Sequence, residues 1–305
     1  MSDINIKIIK YKRFNGIEFH IGGKRVNYVV VNTLRRIIQY IPCYAWDDFK
    51  FSHNTSIFNN DNRKAYITNI AVPNMNKKDT THLYNKIIND ELKDEDIDKM
   101  TMSIQAKNKG IDVLNVISNK IYCKFYMNET EVENIYNKEH LLIELKPNEK
   151  FSMTCSTNLN IGLHNIKYSP ITTCVYEEKD DNNYIMKFAS RGQIDEVEVM
   201  KRGCKILHIK LDNIKELIDM ADLNLEDTHG KIIMENENHT MGNFINRYLQ
   251  DHEDIRCGYM MDHLLINNIT IKYIIDGSKN IKEIFNDCFN LMKKDISNIE
   301  KLFNL

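Results

Sequence analysis

Residues 32–38 read Asn32-Thr33-Leu34-Arg35-Arg36-Ile37-Ile38, and residues 243–249 read Asn243-Phe244-Ile245-Asn246-Arg247-Tyr248-Leu249. Laid on each other without a gap, the two stretches match at Asn32 with Asn243 and at Arg36 with Arg247. Each opens an amphipathic helix after strands. In the first, Leu34, Ile37, Ile38 and Ile41 form one apolar stripe, which Pro42 ends. In the second, Met241, Phe244, Ile245, Tyr248 and Leu249 recur at the same helical spacings. Each half of the chain also ends in a long helix with an apolar seam. The same element order around both copies points to two homologous modules in one polypeptide. Either module alone would expose an apolar helix face. Pairing them about a pseudo-twofold axis buries Leu34, Ile37 and Ile38 from one and Met241, Phe244, Ile245 and Tyr248 from the other.

Outward from these helices the periodicity changes. Ile4, Ile6 and Ile8 alternate as a strand, Ile17, Phe19 and Ile21 repeat the pattern after a turn at Asn15-Gly16, and Gly22-Gly23 leads to the β-branched run Val29-Val30-Val31. From Asn74 to about Met102 the chain is polar, with Lys77-Lys78-Asp79 and Asp94-Glu95-Asp96, and reads as a surface excursion holding one short helix near Leu83, Ile87 and Ile88. Strands follow at 121–126, 141–145, 151–155 and 171–176, and again from Tyr184. A helix from about Asp195 to Ala221 carries Val197, Met200, Cys204, Leu207, Leu211, Ile214 and Ile218 in one narrow seam, with Gly203 as a candidate kink. The second module runs strand (231–234), turn, helix, strand (269–275), and a final helix from about Asn280 to Leu302. The fold class expected is α+β: two modules of sheet with helices packed on one face, plus an inserted β-rich domain. The boundaries drawn are 1–73 with 184–225 for the first module, 74–183 for the insertion, and 226–305 for the second module.

Composition narrows the function. The 305 residues carry 41 Lys and Arg against 43 Asp and Glu, a formal charge of −2. Phosphate binding rests on cationic excess, so nucleic acid is not the expected main partner. Seven cysteines stand without one C-x₂₋₄-C pair, which argues for reduced thiols and no zinc site. No apolar run suits a signal peptide or a membrane span, so an intracellular, soluble protein is expected. No phosphate-binding Gly-Lys loop is present, and no aspartate triplet of the kind that holds Mg²⁺ for nucleotidyl transfer. His239 and Thr240 read as a helix start capped by Thr240 or Asn238, and Gly242 as a close approach to a partner helix.

The stretch from Asn32 to Ile38, followed by Ile41-Pro42 and Ala45-Trp46-Asp47, resembles the N-terminal signature of the alpha subunit of bacterial RNA polymerase. It is more similar still to the third-largest subunit of eukaryotic RNA polymerase II and the archaeal D subunit. Gly162-Leu163-His164-Asn165-Ile166-Lys167-Tyr168-Ser169-Pro170 resembles a segment that those members carry near the end of their insertion domain. Glu237-Asn238-His239-Thr240-Met241-Gly242-Asn243, with Gly258-Tyr259 and His263, is similar to the eleventh polymerase II subunit and archaeal L. Those modules are separate chains in cells; their fusion resembles large cytoplasmic DNA viruses. The chain departs from the family in lacking a four-cysteine zinc loop, and in having Asp262-His263-Leu264 where Pro-His-Pro is usual.

The resemblance implies an assembly platform without catalytic residues or cofactor, which docks the second-largest and then the largest polymerase subunit, with small subunits besides. It implies an internal pseudo-dimer in place of a homodimer, no sequence-specific DNA contact and no membrane. Asn32, Arg35 and Arg36 are the expected contact with the large subunits. The plainer alternative for the arginines is one solvated side chain and one local ion pair. The implied location is a cytoplasmic viral factory and the virion, or else a nucleus. The rival readings are a stand-alone enzyme in the β-rich middle and a nucleic-acid-binding regulator.

Overall fold

The computed structural model describes the chain apart from residues 1–3, 12–15, 73, 74, 76, 77, 120, 134, 137, 138, 181, 222–226, 264, 265, 278, 304 and 305. The expected features at Asn15, Asn74, Lys77 and Leu264 lie outside the described residues. In chain order the elements are β1 (Asn5–Tyr11), β2 (Gly16–Gly22), α1 (Tyr28–Ile37), β3 (Cys43–Asn54), α2 (Asn60–Thr68), α3 (Tyr84–Ile88), β4 (Met100–Lys107), β5 (Leu114–Ile117), β6 (Cys123–Met127) and β7 (Thr130–Val132). They continue with β8 (Leu141–Leu145), β9 (Lys150–Asn160), β10 (Ile171–Asp180), β11 (Asn183–Ser190), α4 (Glu196–Met220), β12 (His229–Glu235), α5 (His239–Gln250), β13 (Ile255–Met261), β14 (Asn268–Ile275) and α6 (Ile281–Leu302). Residues 1–38, 171–190 and 196–305 form one compact unit; residues 39–170 and 191–195 form the other.

The first unit holds two antiparallel sheets, ordered β1-β2-β11-β10 and β12-β14-β13. The same path is traced twice. A strand (β2 or β12) leads into a helix (α1 or α5), then a hairpin (β10–β11 or β13–β14), then a long helix (α4 or α6). In both sheets the second hairpin strand lies between the first strand and its own hairpin mate. The helix starts match as well. Asn27 caps α1, its side chain accepting from the Val29 and Val30 N–H groups, and Asn238 caps α5, accepting from the Thr240 N–H. The gapless match of Asn32 with Asn243 also sets Asn27 on Asn238. In that register Leu34 and Ile245, Ile37 and Tyr248, and Ile38 and Leu249 are buried in pairs, while Arg36 and Arg247 are both exposed.

Long-helix seams agree too. Setting Met200 on Phe285 puts Leu207 on Met292, Leu211 on Ile296 and Ile214 on Ile299, all buried. Helix α1 packs on α5, and α4 packs along α6. Inward residues of the sheets close the core; Phe19 meets Phe188 at 5.3 Å and Phe303 at 4.9 Å between ring centroids.

Three local expectations change. Val29-Val30-Val31 is helical, because the Asn27 cap fixes the start of α1 one residue before it, and the three valines become its buried face. Gly203 makes no break in α4; a Cβ there would stand 3.3 Å from Ile37 Cγ2, so the missing side chain lets α4 approach the end of α1. Residues 255–261, not assigned from sequence, form the edge strand β13.

The second unit is built on a five-stranded sheet, β3-β9-β4-β6-β7, with the small β5-β8 ribbon beside it. Trp46, Phe125, Phe151, Met102, Ile104 and Met153 fill its core. The Trp46 indole N–H donates to Tyr136 Oη at 3.1 Å, which satisfies the buried donor. The segment expected to be a surface excursion ends in β4, which lies between β9 and β6. Met100, Met102 and Ile104 alternate along it, and each is buried. The boundaries of the two units also differ from those drawn on composition. Residues 39–72 belong with β3 and α2, and β10 pairs with β11 in the first unit's sheet, because backbone pairing and not local polarity decides membership.

Candidate functional site

In the second half of α1, and not at its start as the sequence suggested, Asn32 and Arg35 are neighbours on one turn. Arg35 donates from Nε and Nη2 to Asn32 Oδ1 at 3.2 and 2.7 Å, and its guanidinium lies 5.8 Å from the centre of the Tyr176 ring on β10. Side chain and ring together hold the fork in one orientation. Arg36 is exposed, and among the described residues it has no ion-pair partner. Leu34, Ile37 and Ile38 face the core, at most 1% exposed, so the helix offers its arginines away from the packed stripe.

The start of α5 rests against its own sheet. His239 sets its ring against Tyr259 at 5.9 Å in an edge-to-face contact. A Cβ on Gly242 would come within 2.8 Å of the Tyr259 ring and 3.0 Å of Ile269. Gly242 therefore lets α5 rest on its own sheet, which corrects the expected approach to a partner helix. The cap is Asn238 and not Thr240. Asn243 is half-buried, and a side chain at Gly258 would meet nothing within 4 Å. Met241, Phe244, Ile245 and Tyr248 are all buried.

Two polar clusters were not found from sequence. Lys210, in the middle of α4, sets its ammonium 2.6 Å from Glu237 Oε1, with side-chain exposures of 5% and 10%. Burial raises the Glu237 carboxyl above its ordinary range, and the Lys210 charge opposes the shift. Asp295, in the middle of α6, accepts from Arg25 Nη1 at 3.0 Å and from Tyr248 Oη at 3.1 Å. Neither pair is close in sequence. The one available signal is a charged residue beside the apolar seam, as Lys210 is next to Leu211 and Asp295 next to Ile296.

In the second unit the Ser-Pro segment is a clasp. Lys167 Nζ and Tyr168 Oη both reach Asp47 Oδ2, at 2.6 and 3.1 Å. Arg191 donates to the carbonyls of Ile166, Lys167 and Asn69. Ser169 and Pro170 are buried, and the Pro170 carbonyl accepts from the Arg191 N–H. The segment that resembles the family's insertion domain thus ties back to Trp46-Asp47 as a structural joint.

Among the described residues no group of three or more His, Cys, Asp or Glu side chains is placed to hold a metal ion. Burial pushes the Cys123, Cys174 and Cys288 thiols up to about 12, which keeps them protonated. No helix among the described residues is long and apolar enough to cross a membrane.

Residues 229–302, from β12 through α6, match the family model of the RNA polymerase Rpb3/Rpb11 dimerisation domain. The chain is also 24% identical, over 327 aligned positions, to a protein of Acanthamoeba polyphaga mimivirus described as a DNA-directed RNA polymerase subunit. That likeness covers 96% of this chain and 91% of the viral one. The domain match and the near full-length likeness support an alpha-like subunit of a DNA-directed RNA polymerase.

Proposed function

We propose that the chain is the non-catalytic assembly platform of a multisubunit DNA-directed RNA polymerase, with the two modules that pair in that family fused in one polypeptide. The observation that carries this reading is the repeated strand–helix–hairpin–helix path, with α1 on α5 and α4 along α6. A pseudo-twofold axis would relate the modules, so that Leu34, Ile37 and Ile38 and their counterparts Met241, Phe244, Ile245 and Tyr248 serve the pairing. In this reading Asn32, Arg35 and Arg36 dock a large subunit. Arg35 is already oriented by Asn32 and Tyr176, and Arg36 is open to solvent. The polymerase's active-site metals would then come from the largest subunits, and assembly would take place in a cytoplasmic viral factory. The test is affinity purification of the tagged chain from cells that make the whole polymerase. Recovery with the two largest subunits in equal amounts is expected; recovery with neither overturns the proposal.

A further inference from the structure

Two ion pairs that join the modules of the first unit, Lys210–Glu237 and Arg25–Asp295, occupy related places with their charges exchanged. The register that sets Met200 on Phe285 also sets Lys210 on Asp295. Each stands mid-helix among apolar seam residues. Each reaches across to the other module, to a residue in the short link just ahead of a capped helix. Lys210 meets Glu237, next to the Asn238 cap of α5. Asp295 meets Arg25, two residues before the Asn27 cap of α1. The first module therefore brings a cation to both contacts, and the second brings a carboxylate to both.

We propose that Arg25, Lys210, Glu237 and Asp295 form a charge code that makes the two modules pair with each other and prevents either from pairing with its own copy in a second chain. The inference rests on the paired-module reading above. If two first modules met in the same way, Arg25 would face Lys210 twice. If two second modules met, Glu237 would face Asp295 twice. Both encounters set like charges together where Lys210, Glu237 and Asp295 have side-chain exposures of 5%, 10% and 4%, with Arg25 reaching in from the surface at 38%. Apolar seams alone do not discriminate, since the α4 and α6 seams present similar surfaces at matched positions. Specificity then needs a repulsive element against the wrong partner, and like charges meeting at buried or part-buried sites supply it.

The test uses the full chain. Arg25→Glu with Glu237→Lys leaves the net charge unchanged, sets like charges at both contacts within the chain, and makes each module complementary to itself. Expected are a thermal midpoint lower by roughly 10 °C and concentration-dependent oligomers in sedimentation velocity. Adding Lys210→Glu and Asp295→Arg reverses all four charges and restores both contacts within the chain. That quadruple variant should recover the oligomeric state of the unmodified chain and most of its thermal midpoint. A double variant indistinguishable from the unmodified chain overturns the charge code, and so does a quadruple variant as impaired as the double one. Purification of the unmodified chain with the large subunits is independent of these variants, so failure of the code and failure of the platform reading are told apart.

Discussion

The phenol of Tyr248 on α5 donates to the buried Asp295 carboxylate on α6 at 3.1 Å, and the same carboxylate takes Arg25 from the link ahead of α1. One aspartate thus ties together three pieces of chain that are distant in sequence. Burial and the Asp295 charge both hold the Tyr248 hydroxyl well above its usual range, so it stays a donor at every physiological pH. Tyr248→Phe keeps the ring packed against Phe244 and removes only the donor. The expected cost is about 2 kcal/mol, because a buried carboxylate oxygen loses a partner. Urea unfolding of the two proteins side by side measures it; an unchanged midpoint would mean that water replaces the phenol.

The two helix glycines should respond oppositely in size to the same change. At Gly242 an added methyl would overlap the Tyr259 ring and Ile269, at 2.8 and 3.0 Å. The helix-propensity gain of about 1 kcal/mol does not offset that overlap, so Gly242→Ala should lose about 1–2 kcal/mol. At Gly203 the nearest atom is Ile37 Cγ2 at 3.3 Å, a contact that small side-chain movement relieves. Gly203→Ala should stay within about 1 kcal/mol of the unmodified protein. Equal losses in a denaturation series would refute the assignment of Gly242 to helix-on-sheet packing.

Acid should weaken the clasp of the second unit. Burial tends to raise the Asp47 carboxyl, but hydrogen bonds from Lys167 and Tyr168 and the lysine charge outweigh it, and the net shift is below the ordinary value of 3.8. A carboxyl held lower in the folded state stabilises the protein above its unfolded pKa, and that contribution fades as pH falls through the folded value. Lys167→Met removes the partner. The stability difference between the two proteins should be up to about 1 kcal/mol for this part-exposed pair at neutral pH, closing below pH 3.8. A gap that stays constant down to pH 2 would show that the lysine acts through packing of its stem.

The arginines in the last turn of α1 offer a separation of stability from assembly. Arg35→Ala with Arg36→Ala removes one local hydrogen-bonded fork and one exposed charge, so the thermal midpoint of the isolated chain should change by no more than a few degrees. If these side chains meet a carboxylate in the polymerase, recovery of the large subunit on the tagged variant should fall at least tenfold, since the partner charge is left buried alone. Lysines at both positions should restore only part of it, because an ammonium does not reproduce the bidentate fork. Full recovery with the alanine variant would assign the pair to solvent.

By itself the sequence determined the apolar helix faces and the repeat. Leu34, Ile37 and Ile38, and Phe244, Ile245 and Tyr248, announce helix faces through spacing alone, and the gapless register of Asn32 with Asn243 carries on to the caps at Asn27 and Asn238. Periodicity and capping are local, so they are written in adjacent residues. What tertiary structure decided lies where local rules compete or do not reach. The Val29–Val31 run favours a strand by composition, yet its place after a capping asparagine and against a core makes it helix. Strand β10 follows the insertion directly in the chain, yet its hydrogen bonds go to β11 in the other unit. The opposite charges of Lys210 and Asp295 are visible in the sequence, but their partners Glu237 and Arg25 are set by folding alone. Electrostatic contacts act through space with no period along the chain, so only the packed helices bring those charges together.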